Sequence, residues 1–176
     1  VAAEKGYIEC LKCLHKNKAP KRDDNDEIIS LAIRNGNIEC LKFLMENGWE
    51  KSDTLINSAI SEFELDEDIR LKIIKYLHSI GCKFDDSCSV AVEYGVFDCL
   101  KFAHTNGCEL TTETACIASD TGNLECLKYA HENGIQLNKE ILRLSIVNGR
   151  LDCLKYCHEN GIELENQNCL IAAEKR

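Results

Sequence analysis

A chain of 176 residues, 44% hydrophobic and 29% charged, is long enough to bury a core without covalent staples, and it holds no apolar run near the roughly 18 residues that a membrane span needs. Thirty acidic against 21 basic residues give a formal charge of −9, which repels phosphate backbones and anionic lipid, so neither a nucleic-acid partner nor a membrane is expected. With a single Pro and no Ser/Gly-rich tract there is no sign of a linker, and one continuous unit over 1–176 is expected.

In chain order, the first predicted element is a helix near 8–15, opened by Gly6 and carrying Cys10 four residues later. The same arrangement returns in "GNIECLKFLMENG" (36–48), at Gly95 and Cys99, in "GNLECLKYAHENG" (122–134) and in "GRLDCLKYCHENG" (149–161). A sixth copy, "IRLKIIKYLHSIG" (69–81), puts Ile69 and Ile73 at those two places. Self-similarity at this spacing marks a repeat array. The recurring word predicts helices near 8–15, 38–47, 71–80, 97–106, 124–133 and 151–160.

Within 124–133, Leu124, Cys126, Leu127, Ala130 and His131 form one broad face, while Glu125, Lys128 and Glu132 take the other. Gly134 sits where a left-handed cap is wanted. A second, inner helix precedes each Gly; "TETACIASDTG" from Thr112 is the clearest, with N-cap residues at its start. Each unit is therefore helix, Gly turn, helix, Gly and short link, with repeats at about 1–25, 26–52, 53–85, 86–111, 112–138 and 139–165 and a partial one at 166–176. Because one pair cannot bury its apolar face alone, neighbours must stack. The small residues four before each Gly, Ala32, Ala91, Ala118 and Ser145, fit close helix approach.

Two places break the period. The link "KNKAPKRDDND" (16–26), with Lys18 where other copies have Gly, reads as a solvated loop. "SEFELDEDIR" (61–70) inserts acidic residues in place of the Gly turn; it reads as a binding loop, a plain loop or a lengthened helix.

The repeat also absorbs most candidate chemistry. Cys10, Cys40, Cys99, Cys126 and Cys153 share one position with Ile73, so they read as small buried hydrophobes, and Cys40, Cys99 and Cys126 are expected to react slowly until unfolding. Stacked helices lie about 8–10 Å apart and a disulfide needs Cα atoms within about 7 Å, so no ladder of bridges is expected. Cys10 and Cys13 form a lone CxxC inside a helix, without a second half. His15, His78, His104, His131 and His158 share a position with Met45, which favours packing between repeats over a metal ladder. Lys12, Lys42, Lys101, Lys128 and Lys155 each follow an acid by three residues, the spacing of surface pairs. No nucleophile with a base, no phosphate loop and no metal signature is present, so no enzyme, no cofactor and no metal are expected.

"GIQLN" (134–138), "GIELE" (161–165) and "GCELT" (107–111) resemble the "GADVN" that ends an ankyrin repeat, and "AIRNGNIECLKFLMENG" (32–48) resembles "AAxxGHxEVVKLLLENG". The resemblance covers essentially the whole chain and is similar to the divergent, Cys-containing arrays of giant viruses and some protists. It implies an all-α, ankyrin-like helical-pair solenoid with shortened or absent β-hairpin fingers. The ankyrin period is about 33 residues, whereas the last three spacings here are 26 or 27, and the "DGxTPLH" segment is missing.

The resemblance, with the lack of chemistry, implies an intracellular scaffold in a reducing compartment that binds a protein partner through inner helices and links. Candidate contacts are Glu27, Ser30, Arg34, Asp86, Ser89, Glu93, Glu113, Cys116, Asp120, Glu140, Arg143 and Val147, whose acidic lean predicts a partner with a basic segment. The alternatives are a structural component of a larger assembly, such as a virion or longer solenoid, and a substrate-recruiting segment of a multidomain protein. The chain opens with "VAAEKG" and closes with "IAAEKR", mid-repeat each time, which favours a larger array. Thiol-based sensing would need clustered reactive cysteines.

Overall fold

The computed structural model describes residues 1–17 and 25–164, and among these it contains eleven α-helices and no strand. The expectations for residues 18–24 of the first link, including Lys18, and for the partial repeat at 166–176 lie outside the described residues. The chain divides into two compact units, Val1–Phe84 and Asp85–Arg176.

The first unit holds α1 (Ile8–Lys16), α2 (Asn25–Arg34), α3 (Ile38–Glu46), α4 (Leu55–Ser61) and α5 (Glu67–Ser79). Here α2 pairs with α3 and α4 with α5, while α2 packs on α4 and α1 on α3. The second unit holds α6 (Ser87–Glu93), α7 (Phe97–Thr105), α8 (Thr112–Thr121), α9 (Leu124–Glu132), α10 (Lys139–Val147) and α11 (Leu151–Glu159). Its pairs are α6–α7, α8–α9 and α10–α11; α6, α8 and α10 form an inner row, and α7, α9 and α11 an outer row. Each unit is thus two layers of helices.

Three outer helices bury the same three positions, Cys40, Leu41 and Leu44 in α3, Cys99, Leu100 and Ala103 in α7, Cys126, Leu127 and Ala130 in α9, while α11 buries Cys153 and Cys157. Opposite them Ala32, Ala59, Ala91, Ala118 and Ser145 are fully buried, as close stacking requires. The first copy departs from this. Residues 2–6 form turns, α1 buries no residue, and Cys10 and Cys13 are exposed. The expectation that Cys10 packs like its equivalents is therefore wrong.

Three helix starts differ from the sequence reading, the first being α2, which begins at Asn25 inside the link read as a loop to 26. Thr111, one residue earlier than expected, caps α8 through a reciprocal box with Thr114. Helix α5 begins at Glu67, not 71, because the Asp66 carboxylate accepts the Ile69 N–H at 3.2 Å. The acidic insertion is thus both a lengthened helix and a loop. That loop is anchored by buried Leu65 and by buried Arg70, whose Nη2 donates to the Glu62 carbonyl, and it leaves Phe63 82% exposed. At Gly134 the backbone is left-handed, with φ 102°, as a C-terminal cap requires.

Candidate functional site

Consecutive repeats are tied by side chains that reach back one unit. The residue after the turn Gly does this three times. Asn37 donates its amide N–H to the Ala3 and Glu4 carbonyls, each at 2.8 Å, Asn123 to the Val92 carbonyl at 2.6 Å, and Arg150 donates Nε–H to the Asp120 carbonyl at 2.9 Å. These bonds satisfy carbonyls at the ends of preceding inner segments, which a helix cannot pair internally. Between inner helices, the buried Ser119 hydroxyl donates to the Ile141 carbonyl at 2.8 Å.

A second tie runs along the outer rows. His104 Nδ1 is hydrogen-bonded to the Tyr129 hydroxyl at 2.9 Å and His131 Nδ1 to the Tyr156 hydroxyl at 2.8 Å, each ring pair meeting edge to face. In the first unit His15 meets Phe43 in the same way, centroids 5.7 Å apart. His15, His104 and His131 therefore pack between repeats, each against the aromatic of the next copy, whereas His78 stacks on Phe84 of its own repeat, centroids 4.9 Å apart, and exposed His158 has its Nδ1 3.3 Å from the Ile162 carbonyl. That aromatic position was missed in the sequence. Its signal is the residue after the repeated Lys, where Phe43, Tyr76, Phe102, Tyr129 and Tyr156 stand.

On three outer helices a first-turn acid is paired with a Lys. Lys12 bridges Glu9 at 2.8 Å, Lys42 bridges Glu39 at 2.9 Å and Lys101 bridges Asp98 at 2.7 Å.

The candidate contacts lie on or beside the inner helices. In the first unit Glu27 is exposed, Ser30 is half-buried, and exposed Arg34 bridges Glu62 of the insertion at 3.4 Å. In the second unit Asp86 precedes α6 and is exposed, as are Glu93, Glu113 and Asp120. Ser89 is half-buried, its hydroxyl 3.5 Å from that of Thr114. Two of the acids are engaged within the chain. Glu140 is held bidentately by Arg143, at 2.6 and 2.8 Å, which lowers its pKa, and Asp120 accepts the Asn148 side chain at 2.6 Å. Cys116 and Val147 are half-buried, and burial, together with Glu140 and Glu113 nearby, pushes the Cys116 thiol up. The acidic character of this side rests on Glu93, Glu113 and Asp120 more than on Glu140.

The thiols are set apart by burial. None of the eleven described cysteines is in a disulfide. Desolvation pushes Cys126 up to about 12 and Cys157 up to about 11, and raises Cys40 and Cys153. Among the described residues no group of three or more His, Cys, Asp or Glu could hold a metal ion, and no helix is long and apolar enough to cross a membrane.

Stacked helix pairs, tied from one copy to the next and offering exposed side chains along their inner helices, define a helical-repeat protein. The repeats are of one known kind. A family model described as ankyrin repeats, three copies, matches residues 1–87. The crystal structure of the human ASB11 ankyrin repeat domain is similar, with a TM-score of 0.73 and 16% identity over 94% of this chain and 84% of that one. No curated protein matches the chain by sequence. The chain therefore carries ankyrin repeats, by sequence over 1–87 and with the ankyrin fold beyond, and such repeats are as a class protein–protein interaction modules.

Proposed function

We propose that this chain is a protein-binding scaffold that acts by recognition and not by catalysis. It holds a partner's basic segment against its inner helices and connecting links. The contacts are Glu27, Ser30, Arg34, Asp86, Ser89, Glu93, Glu113, Asp120, Glu140 and Arg143. The observation that carries this reading is a contrast of charge: the first-turn acids Glu9, Glu39 and Asp98 of the outer helices α1, α3 and α7 are each bridged by a Lys three residues on, whereas Glu93, Glu113 and Asp120 stand exposed along the inner row. The insertion loop supports it, since Leu65 and Arg70 hold the loop while Phe63 faces solvent. An anchored aromatic with carboxylates around it suits an apolar contact bordered by basic groups. The free thiols support a reducing, intracellular setting.

The test is binding of a panel of Lys/Arg-rich peptides to the full chain by fluorescence anisotropy at low and physiological salt. Saturable binding that weakens as salt rises is expected. Equal binding of neutral and basic peptides would overturn the reading.

A second reading, packing into a longer array, is favoured by α1, where Tyr7 is 56% and Leu14 50% exposed beside Cys10 and Cys13. Concentration-dependent association abolished by Leu14→Ser would support it over the first.

A further inference from the structure

The link after α7 folds back on its own repeat. Beyond Gly107, Cys108 is buried against the start of α6, where Cys88, the second residue of that helix, is buried as well. The Cys88 backbone N–H donates to the Cys108 sulfur at 3.1 Å, and the Cys88 thiol donates to the Cys108 carbonyl at 3.7 Å. In its thiol form Cys108 can donate its S–H to the Asp85 carbonyl, 3.6 Å away. No other repeat of this unit has the pair: the equivalent positions hold Ala115 and Ile135, then Leu142 and Ile162. Two thiols here replace what is elsewhere an apolar contact within one repeat. Unlike Cys99, Cys126 and Cys153, which sit one per helix in stacked copies, these two already touch.

We propose that Cys88 and Cys108 form a redox-responsive dithiol, which a hydroperoxide closes to a disulfide and a thiol reductant reopens, tying the start of α6 to the link beyond α7. The hydrogen bonds from Cys88 favour thiolate at Cys108 and hold the proton on Cys88, which assigns the roles of attacking and resolving sulfur. The Cys108 thiolate attacks one peroxide oxygen. The O–O bond breaks, the other oxygen leaves as alcohol or water after taking a proton, and Cys108 becomes a sulfenic acid. The Cys88 sulfur then attacks the Cys108 sulfur, the S–O bond breaks, and water leaves with the thiol proton. Two thiols and one hydroperoxide give one disulfide, one alcohol or water from the peroxide, and one further water. The sulfur atoms are oxidised and the peroxide is reduced. Because the Cys108 sulfur lies 3.1 Å from the nitrogen next to Cys88 Cα, a side-chain rotation brings the sulfurs together without the repeat-to-repeat movement that other cysteine pairs need. Gly107 and Glu109 on either side of Cys108 are exposed, so opening the link by a residue or two admits a small peroxide.

The experiment treats the full chain with hydrogen peroxide under folding conditions, alkylates the remaining thiols and maps the peptides. A Cys88–Cys108 disulfide is expected to form about tenfold faster than any bridge that includes Cys126 or Cys153. The thermal midpoint should rise by about 5 °C and fall back with dithiothreitol. Cys88→Ser should lose both the bridge and the rise, and leave a sulfenic acid on Cys108 that dimedone traps. If the folded chain keeps both thiols through the treatment, or if dimedone labels neither cysteine in Cys88→Ser while its circular dichroism stays helical, the dithiol is only a packing contact and the proposal fails. A first bridge elsewhere among the buried cysteines would overturn it equally.

Discussion

The side chain of Arg150 lies across Gly122: a Cβ added at 122 would stand 2.7 Å from Arg150 Cδ, while Arg150 Nε–H donates to the Asp120 carbonyl at 2.9 Å. Gly122 also has φ +87°, so two independent costs attach to any side chain there. Gly134 has φ +102° with nothing within 4 Å of an added Cβ, and so carries only the backbone cost. Gly134→Ala is expected to destabilise by about 1 kcal/mol, and Gly122→Ala by about 2 kcal/mol or more, measured by urea unfolding. In an Arg150→Ala background the excess at Gly122 should shrink. Equal losses at the two glycines would mean that the Arg150 tie does not hold the stacking register.

Ala118 tests the same packing from the inside. It is fully buried, and its carbonyl accepts the Gly122 N–H at 3.0 Å and the Asn123 N–H at 2.8 Å. Ala118→Leu should destabilise by about 1–3 kcal/mol through overpacking. Cys116→Leu, at a half-buried site on the same helix, should cost less. A neutral Ala118→Leu would show that neighbouring helices have room that the geometry denies them.

The buried thiols make a prediction about alkaline pH. In the unfolded chain an ordinary cysteine begins to lose its proton near 9, whereas in the fold burial holds the Cys126 proton to about 12 and that of Cys157 to about 11. Between those limits the folded state binds more protons than the unfolded one. Stability should therefore be undiminished by these groups below about pH 8 and fall as pH rises beyond about 9, by roughly 1 kcal/mol per pH unit for each such thiol. Thermal unfolding under reducing conditions from about pH 8 to about pH 10 would measure it, and Cys126→Ala should flatten the slope. A stability that stays level over that range would contradict the burial of Cys126 and Cys157.

The outer helices were legible because their signal is local and repeated. The recurring word reads as helix over 97–106 and 124–133, and the observed helices are Phe97–Thr105 and Leu124–Glu132. The start of α5 was not legible, because the Asp66 cap that moves it to Glu67 sits in an insertion with no counterpart in the other copies. The inter-repeat ties were hidden for a different reason. Asn123 and Val92 are 31 residues apart, and only the stacking register brings them together. Tyr129 and Tyr156 could be seen to recur, yet their pairing with His104 and His131 of the preceding copy depends on that same register. At the candidate site the inner-helix positions followed from the repeat. What the sequence pattern could not weigh was engagement. Glu140 spends its charge on Arg143, and Arg34 spends its own on Glu62.

That difference in engagement decides how the proposed binding face should respond to charge reversal. If a basic segment is steered to the inner row, its on-rate depends on carboxylates that are exposed and not already bridged, and the steering is screened over about 8 Å at physiological ionic strength. Reversing Glu93, Asp120 and Glu140 together to Lys should weaken capture of a Lys/Arg-rich peptide about tenfold or more at low salt, with most of the loss in the association rate. Within that set Glu140→Lys alone should contribute least to the lost attraction, because Arg143 already offsets Glu140 at 2.6 Å. Reversing Glu125 and Glu132 on α9 changes the net charge by four, against six for the triple variant, yet should leave binding nearly unchanged if position matters more than total charge. Stopped-flow anisotropy at two salt concentrations separates the cases. A larger loss from the α9 variant would place the partner on the outer helices, and a loss in proportion to net charge alone would leave no specific face to assign.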